Sequence, residues 1–599
     1  GQRLLRQDIE AARTVAEREL VLDQIEKLSA RATTAGQGIQ AFSIFDALSP
    51  EHIALYAQKV VKQAQKYVPG LKLTSKQVQE FTRRATEIEK LPVGRERSIA
   101  QAKLVGDIHA LVPPSAASKL GLFQTASMLL TVPTFLRNVI GNSIIAMMEN
   151  FNRAVSVGFD IPTSWFTGKR SVVLPSLGRQ VRALGRGAKE AAEEVNAGVN
   201  LKSLRTTFEL SQQPRFRSGP WSWLEKALGY ELRVPDRAFF EAAYDDGLYN
   251  WVQTKLINEK VPKGLRAKRE LELMARPPKE ALEAAKQEAL YRTLQDDNLT
   301  AQVFYGLKRT LNKFGVGRRG ADMSAEFGLG DLVTKFARTP ASLLEMGLRY
   351  TPAAFGEAAV EVSKAAFGKP FNQRVFVEAM GRGVIGGMGL TAFGYVMADR
   401  GHITGPTPKD RDLRAIERES GIRSFQINLS SFTRDALSLF SDSEIAKPRH
   451  GDKLFDYSVV LPFSIPVAVG AQVQERGETR GLQELQQEEF ERKKGVLVAE
   501  AAKSGDIWRQ WGIDILDTGM GSLETIGYGL DVVLNNPMMQ GMQRLFGYGD
   551  LPGGIADVLT QAPTTFMPAL LSRLNNIIDN QVREGYDPDV LQASLNRMI

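Results

Sequence analysis

Glu241 and Asp245 stand one helical turn apart beside Asp246, a spacing at which two carboxylates can act as acid and base in glycan cleavage. The plainer reading of the same triplet is a charged helix surface or a set of salt bridges. The four histidines, His52, His109, His402 and His450, include no H-x-x-x-H pair, so a zinc site would need long-range convergence. They read as ordinary surface or core residues. The absence of cysteine excludes disulfides, thiolate metal sites and cysteine nucleophiles together. Two G-x-G-x-x-G phrases occur, Gly315-Gly317-Gly320 and Gly381-Gly383-Gly386, but neither has the strand-turn-helix context of a dinucleotide site. The first reads as a flexible loop and the second as a place where helices approach closely. No G-x-x-x-x-G-K-S/T loop is present. No cofactor or metal is implied, and the chain is not expected to be an enzyme.

Arg179, Arg182, Arg186 and Lys189 offer a different chemistry. They share one helix face at spacings of three, four and three, with Val181, Leu184 and Ala188 on another. Such a stripe is either a solvated face or a set of contacts to the phosphates of DNA or anionic lipid. Its sign reverses at Glu190, Glu193 and Glu194. A net charge of +8 over 599 residues is only a mild bias towards polyanionic partners.

The elements that must position these residues are helical. Hydrophobic residues make up 43% and charged residues 24%, too mixed for a disordered chain or a polytopic membrane protein. Residues 1–115 read as a soluble helical module, opened by Leu5, Ile9, Ala12, Ala16 and Leu20 at helical spacing. Residues 116–199 read as an apolar helical hairpin over Leu120–Phe166, with Arg137, Glu149 and Arg153 among its few charges, followed by the basic amphipathic helix. Residues 200–312 form a second soluble module, in which Pro277-Pro278 starts a helix through Leu282, Ala285 and Ala289.

Residues 313–475 read as a glycine-rich apolar module with one short strand, and Thr339-Pro340 starts a helix within it. Gly383 and Gly387 make a G-x-x-x-G pair which, with Gly386, Leu390 and Phe393, is a candidate membrane or helix-packing contact. The uncharged run Gly383–Ala398 falls short of the roughly 20 residues of a spanning helix. Arg382 and Asp399 at its ends are placed for a membrane interface. Phe425, Ile427 and Leu429 alternate as a strand does, whereas Asp456, Pro462, Pro466 and Gly470 rule out one regular helix over Leu454–Val473. Gln474–Lys494 reads as a solvated helix, and residues 476–599 form a C-terminal helical module. The first residue, Gly1, and the uncapped end at Ile599 suggest an excerpt or processed product of a longer chain. The fold class is therefore mainly α: an extended multi-module helical protein with marginally membrane-like apolar helices and very little β.

Three phrases resemble a known group. Residues 131–142 contain Pro133-Thr134, Arg137-Asn138 and Gly141-Asn142, similar to the P-T-x-x-R-N-x-x-G-N phrase of internal virion proteins and tape-measure-like proteins of tailed bacteriophages, including large polyvalent proteins. Residues 336–344 resemble their F-x-R-T-P-x-N phrase through Arg338, Thr339 and Pro340, with Ser342 where asparagine is usual. The glycine-rich segment through Gly394, then Gly401–Pro406 and Gly421–Ile427, follow in the order such proteins show.

The resemblance covers roughly residues 120–475. It implies an ejection protein held in the capsid core or tail lumen, released with the genome and forming part of a conduit for DNA across the host envelope. The implied partners are further copies of the chain, other virion proteins of the portal or core, genomic DNA and the host membrane. A tail tape-measure protein is the alternative, followed by a wall-degrading virion enzyme or a scaffold segment of a larger virion polypeptide.

Overall fold

In the computed structural model, several helices begin where a polar side chain or a proline deals with the first unpaired backbone N–H groups. The structure describes Phe216 and residues 50–201, 219–405, 424–438 and 451–477, apart from residues 93, 131, 297, 320–322, 334, 337 and 461. The module expected over 476–599 lies outside the described residues from 478 onward, as do residues 1–49 and His450.

α1 (Pro50–Ala64), α2 (Ser75–Glu89) and α3 (Arg95–His109) pack as three helices around Ile53, Phe81, Leu104 and Ile108. Thr74 and Gln77 start α2 with a reciprocal capping box. α4 (Ala116–Leu129) is capped by Ser115, and α5 (Val132–Thr167) follows as one helix of 36 residues, about 54 Å long at 1.5 Å per residue. Next come α6 (Leu177–Ala197), α7 (Gly219–Leu228), a π-helical turn over Gly229–Arg233, and α8 (Val234–Asn258). α9 (Lys263–Ala275), α10 (Lys279–Arg292) and α11 (Leu299–Leu311) complete the central group. Pro278 precedes α10, whose inward face is Ala281, Ala285 and Ala289, with Leu282 turned outward.

β1 (Gly315–Arg319) and β2 (Ala325–Gly328) pair antiparallel, Gly315 opposite Gly328 and Val316 opposite Phe327. Gly315 and Gly317 of the first glycine phrase thus lie in a strand and not in a flexible loop. Gly317 has φ +96° and lies so close to Ala117 that a Cβ would stand 2.5 Å from it. α12 (Leu329–Val333), α13 (Arg338–Arg349) and α14 (Ala353–Ala366) follow. α15 (Gln373–Arg382) then runs through a π-helical segment, Gly383–Leu390, into α16 (Thr391–Asp399). β3 (Gln426–Asn428) pairs antiparallel with β4 (Leu454–Asp456) on either side of α17 (Leu429–Ser438), and α18 (Ser464–Gly477) packs against α16.

The hairpin expected over 120–166 does not form. α4 packs on α7 and β2, while α5 packs on α8, α10 and α15. The physical reason is on α5 itself: Glu149, Arg153 and Asp160 face inward and are buried, so the helix docks where partner charges stand. Among the described residues no helix is long and apolar enough to cross a membrane.

Candidate functional site

A largely buried cluster of four guanidinium and four carboxylate groups comes from α5, α8, α10 and α15. Arg153 of α5 pairs with Asp246 of α8 and, at 2.7 Å, with Glu288 of α10. Arg292 reaches Glu288 at 2.8 Å and Asp246 at 3.2 Å. Arg374 of α15 joins Glu288 to Glu378, the latter at 2.7 Å. Arg382 lies 3.4 Å from Glu378 and 3.9 Å from Glu149. Tyr350 donates its hydroxyl to Glu149 at 2.9 Å, and Arg382 stacks over the Tyr291 ring at 5.1 Å. The charges balance within the cluster, which is the condition for burying ions without a large net solvation cost.

Burial raises the Glu288 carboxyl, but Arg292, Arg153, Arg374 and Arg382 together outweigh it and hold Glu288 well below the usual carboxylate range. Glu378 is lowered against the same burial, chiefly by Arg374. A carboxyl whose folded value lies below its unfolded one contributes stability above the unfolded value of about 4.3, and loses it as pH falls through the folded value. Asp296 and Glu345, raised by burial, act in the opposite sense. Glu288 and Glu378 therefore stay ionised through pH 5, and loss of their contribution is expected only in strong acid, below about pH 4. Circular dichroism melts across pH 2–8 read this, and a collapse between pH 6 and pH 5 would contradict it.

Turning charge inward leaves α5 with the opposite exterior. Its exposed apolar positions include Leu136, Ile140, Met147, Phe151, Ile161 and Trp165, and Trp165 is 78% exposed. No described residue exposed on α5 is charged. Beneath its far end, Asp160 is fully buried and accepts from Arg170 at 2.5 Å, from the Ser171 N–H at 3.1 Å and from Gln373 at 2.8 Å. These contacts bind the segment leading to α6 and fix the end of the apolar face.

The residues singled out in the sequence fall at four places. On α5, Asn142 donates to Asn138 at 2.6 Å and Asn138 to Asp236 of α8 at 3.4 Å, so the phrase carries a polar link between helices; Gly141 has open space around it. Thr134 and Arg137 belong to the first turns of the same helix. At the start of α13, Thr339 and Pro340 are buried and Arg338 is half-buried, and Ser342 accepts from Asn298, the cap of α11, at 3.2 Å.

In the glycine-rich helix, a Cβ at Gly383 would meet the Phe355 ring at 2.6 Å, at Gly386 the Tyr350 carbonyl at 1.8 Å and at Gly387 Pro352 at 3.0 Å. Leu390 is part of the core beside them, and Phe393 is exposed. Arg382, expected at an interface, is instead buried, because Glu149 and Glu378 face it across the cluster. Asp399 is exposed.

The basic stripe does not present one free face. Arg179 donates to Asp245 at 3.0 Å and stacks over Tyr249, and Arg186 stands 3.9 Å from Asp245. Arg182 and Lys189 remain exposed. The carboxylates of the supposed acid pair are thereby accounted for: Asp245 by these arginines, Glu241 by Arg237 at 2.9 Å.

Sequence reasoning missed a buried chain of contacts at His402. Its Nδ1 lies 2.8 Å from Ser431 Oγ and its Nε2 3.1 Å from Asp435, to which Arg400 also donates at 2.8 Å. Hydrogen bonds from Arg400 and His402 hold Asp435 below the usual carboxylate range. Serine, histidine and aspartate in contact can support nucleophilic hydrolysis. Here Ser431 is fully buried, donates to the Asn428 carbonyl at 3.1 Å and takes its own N–H to Asn428 Oδ1, so the group fastens the start of α17. Ser431 and Asp435 stand one helical turn apart, but His402 lies 29 and 33 residues away, so no local spacing signalled the group. Among the described residues no cluster of metal-ligating groups occurs. Compared with protein-family models, curated proteins and solved structures, the chain matches none.

Proposed function

We propose that the chain is an internal virion protein of a tailed bacteriophage, released with the genome and assembled, in several copies, into part of a conduit for DNA across the host envelope. The observation that carries this reading is α5: a helix of 36 residues with its described charges neutralised inside and, among the described residues, an apolar exterior without charge. A water-facing helix ordinarily has the reverse arrangement, so this exterior suits a partner met after release. The P-T-x-x-R-N-x-x-G-N phrase lies on the same helix, which ties the resemblance to the feature it would serve. Helices without disulfides also suit a chain that must pass a narrow opening and refold. The proposed role is mechanical, with no catalytic step assigned to the chain.

Fractionation of cells infected with particles that contain the chain tests the role. The chain is expected in the purified particle before infection and in the host envelope fraction afterwards. Retention of all of it in the emptied particle would sink the proposal. Retention together with a tail length that follows in-frame deletions would favour a tape measure.

A further inference from the structure

We infer that the outer face of α5 lies flat in the surface of a bilayer containing anionic lipid, with α6 supplying the headgroup contacts. This rests on the proposed role and names the partner of the exposed face. The face follows helical spacing through Leu136, Ile140, Met147, Phe151, Ile161 and Trp165, and so runs nearly the whole of a helix about 54 Å long. The hydrocarbon core of a bilayer is only about 30 Å thick. A crossing would also carry Glu149, Arg153 and Asp160 into it together with their partners. A helix apolar along one side and anchored by buried charge along the other fits the interfacial plane.

Two features favour lipid over protein as the occupant. A protein interface offers about one hydrogen bond per 100–200 Å², but among the described residues this face offers few exposed polar side chains, Ser143 midway and Thr167 at its end. Thr167 is already hydrogen-bonded to Gln373. Secondly, the apolar face is edged with cations. Trp165 and Phe166 are followed by exposed Lys169, the order in which aromatic and basic side chains anchor at a headgroup layer. The Asn150–Gln180 amide pair, at 2.8 Å and 2.9 Å, fastens α6 to α5. Around Gln180 on α6, Leu177 and Val181 are exposed apolar side chains, and Arg182 and Lys189 are exposed cations. Each such cation near an anionic surface strengthens binding severalfold.

The chain has no native cysteine, so single thiols can be introduced without background. Ile140→Cys, Phe151→Cys and Ile161→Cys, each carrying an environment-sensitive fluorophore, are mixed with vesicles of phosphatidylcholine with or without phosphatidylglycerol. All three probes are expected to shift to the blue on the anionic vesicles and to be quenched equally by lipids spin-labelled at one shallow depth. Lys268→Cys, on the exposed surface of α9, is expected to stay unchanged.

In flotation of the full chain, Phe151→Glu is expected to lower the bound fraction about tenfold or more. Arg182→Glu with Lys189→Glu is expected to do the same and to remove the dependence on anionic lipid. Both variants change exposed residues, and an unchanged helical spectrum confirms that they fold. No flotation on anionic vesicles, a depth that changes steadily from Ile140 to Ile161, or binding unaffected by Phe151→Glu would each overturn the inference. So would self-association abolished by Phe151→Glu without lipid, which would assign the face to a second copy. A chain that reaches the envelope in infected cells but does not float would leave the proposed role standing and refute only this contact.

Discussion

Replacing Arg153 by methionine is expected to destabilise the chain by about 3–5 kcal/mol, although methionine is a good helix former of similar length. Arg153 is 3% exposed and touches Asp246, which is fully buried, and Glu288. Its loss leaves the cluster with one carboxylate in excess, and neither water nor a spare cation can reach Asp246 except through a rearrangement of α5. Asp246 would then keep only Arg292, while Glu288 keeps Arg292 and Arg374. The informative control stands two positions away on the same helix. Phe151→Glu changes an outward side chain, 56% exposed, and is expected to alter stability by less than about 0.5 kcal/mol. Urea unfolding followed by circular dichroism compares the two. If Arg153→Met unfolds at the wild-type midpoint while Phe151→Glu lowers it, α5 has been placed the wrong way round.

That inversion also explains what the sequence did and did not disclose. Helix starts were legible because their causes are local: Pro278 before α10 and Thr339-Pro340 at α13 need only their neighbours. The short strand at Gln426–Asn428 was legible for the same reason, as was the lack of one regular helix over Leu454–Val473, although α18 itself runs through Pro466 and Gly470. β1 was not, since glycine at Gly315 and Gly317 is there to let Phe327 and Ala117 approach, a need set by residues elsewhere in the chain.

The site was half legible. Glu149, Arg153, Ser156 and Asp160 recur at spacings of four, three and four, a polar stripe along the helix, and Arg374, Glu378 and Arg382 repeat at four. Periodicity reveals such a stripe but not whether it faces water or protein. Only the arrival of Asp246 and Glu288 from α8 and α10 decides that, and those contacts span 93 and 135 residues. The same distance hid Arg382, read as the end of an apolar run when it is the last member of the cluster.

The glycine-rich helix supplies a second large effect, with an internal control of opposite sign. Gly386→Ala would place a Cβ 1.8 Å from the backbone carbonyl of Tyr350, and a backbone atom cannot move aside as a side-chain end can. The π-helical segment would have to lift from the Tyr350 region. Tyr350 is fully buried, its ring meets Phe463 edge-on at 4.9 Å, and its hydroxyl holds Glu149. A shift there carries into the ionic cluster, so a loss of about 1–3 kcal/mol is expected, at the upper end if the Glu149 contact breaks.

Three residues on, a Cβ at Gly389 would meet nothing closer than the Val384 carbonyl at 3.6 Å, an ordinary contact. Gly389→Ala therefore keeps only the gain in helix propensity and is expected to stabilise by up to about 1 kcal/mol. Thermal melts of the two variants should move in opposite directions. If both raise the melting temperature, the glycines serve only to loosen the helix and the π-helical segment does not approach Tyr350 as described. If both lower it, Gly389 is needed for a backbone shape and not for space. Only the split result ties the close approach at Gly386 to the cluster that turns the charge of α5 inward.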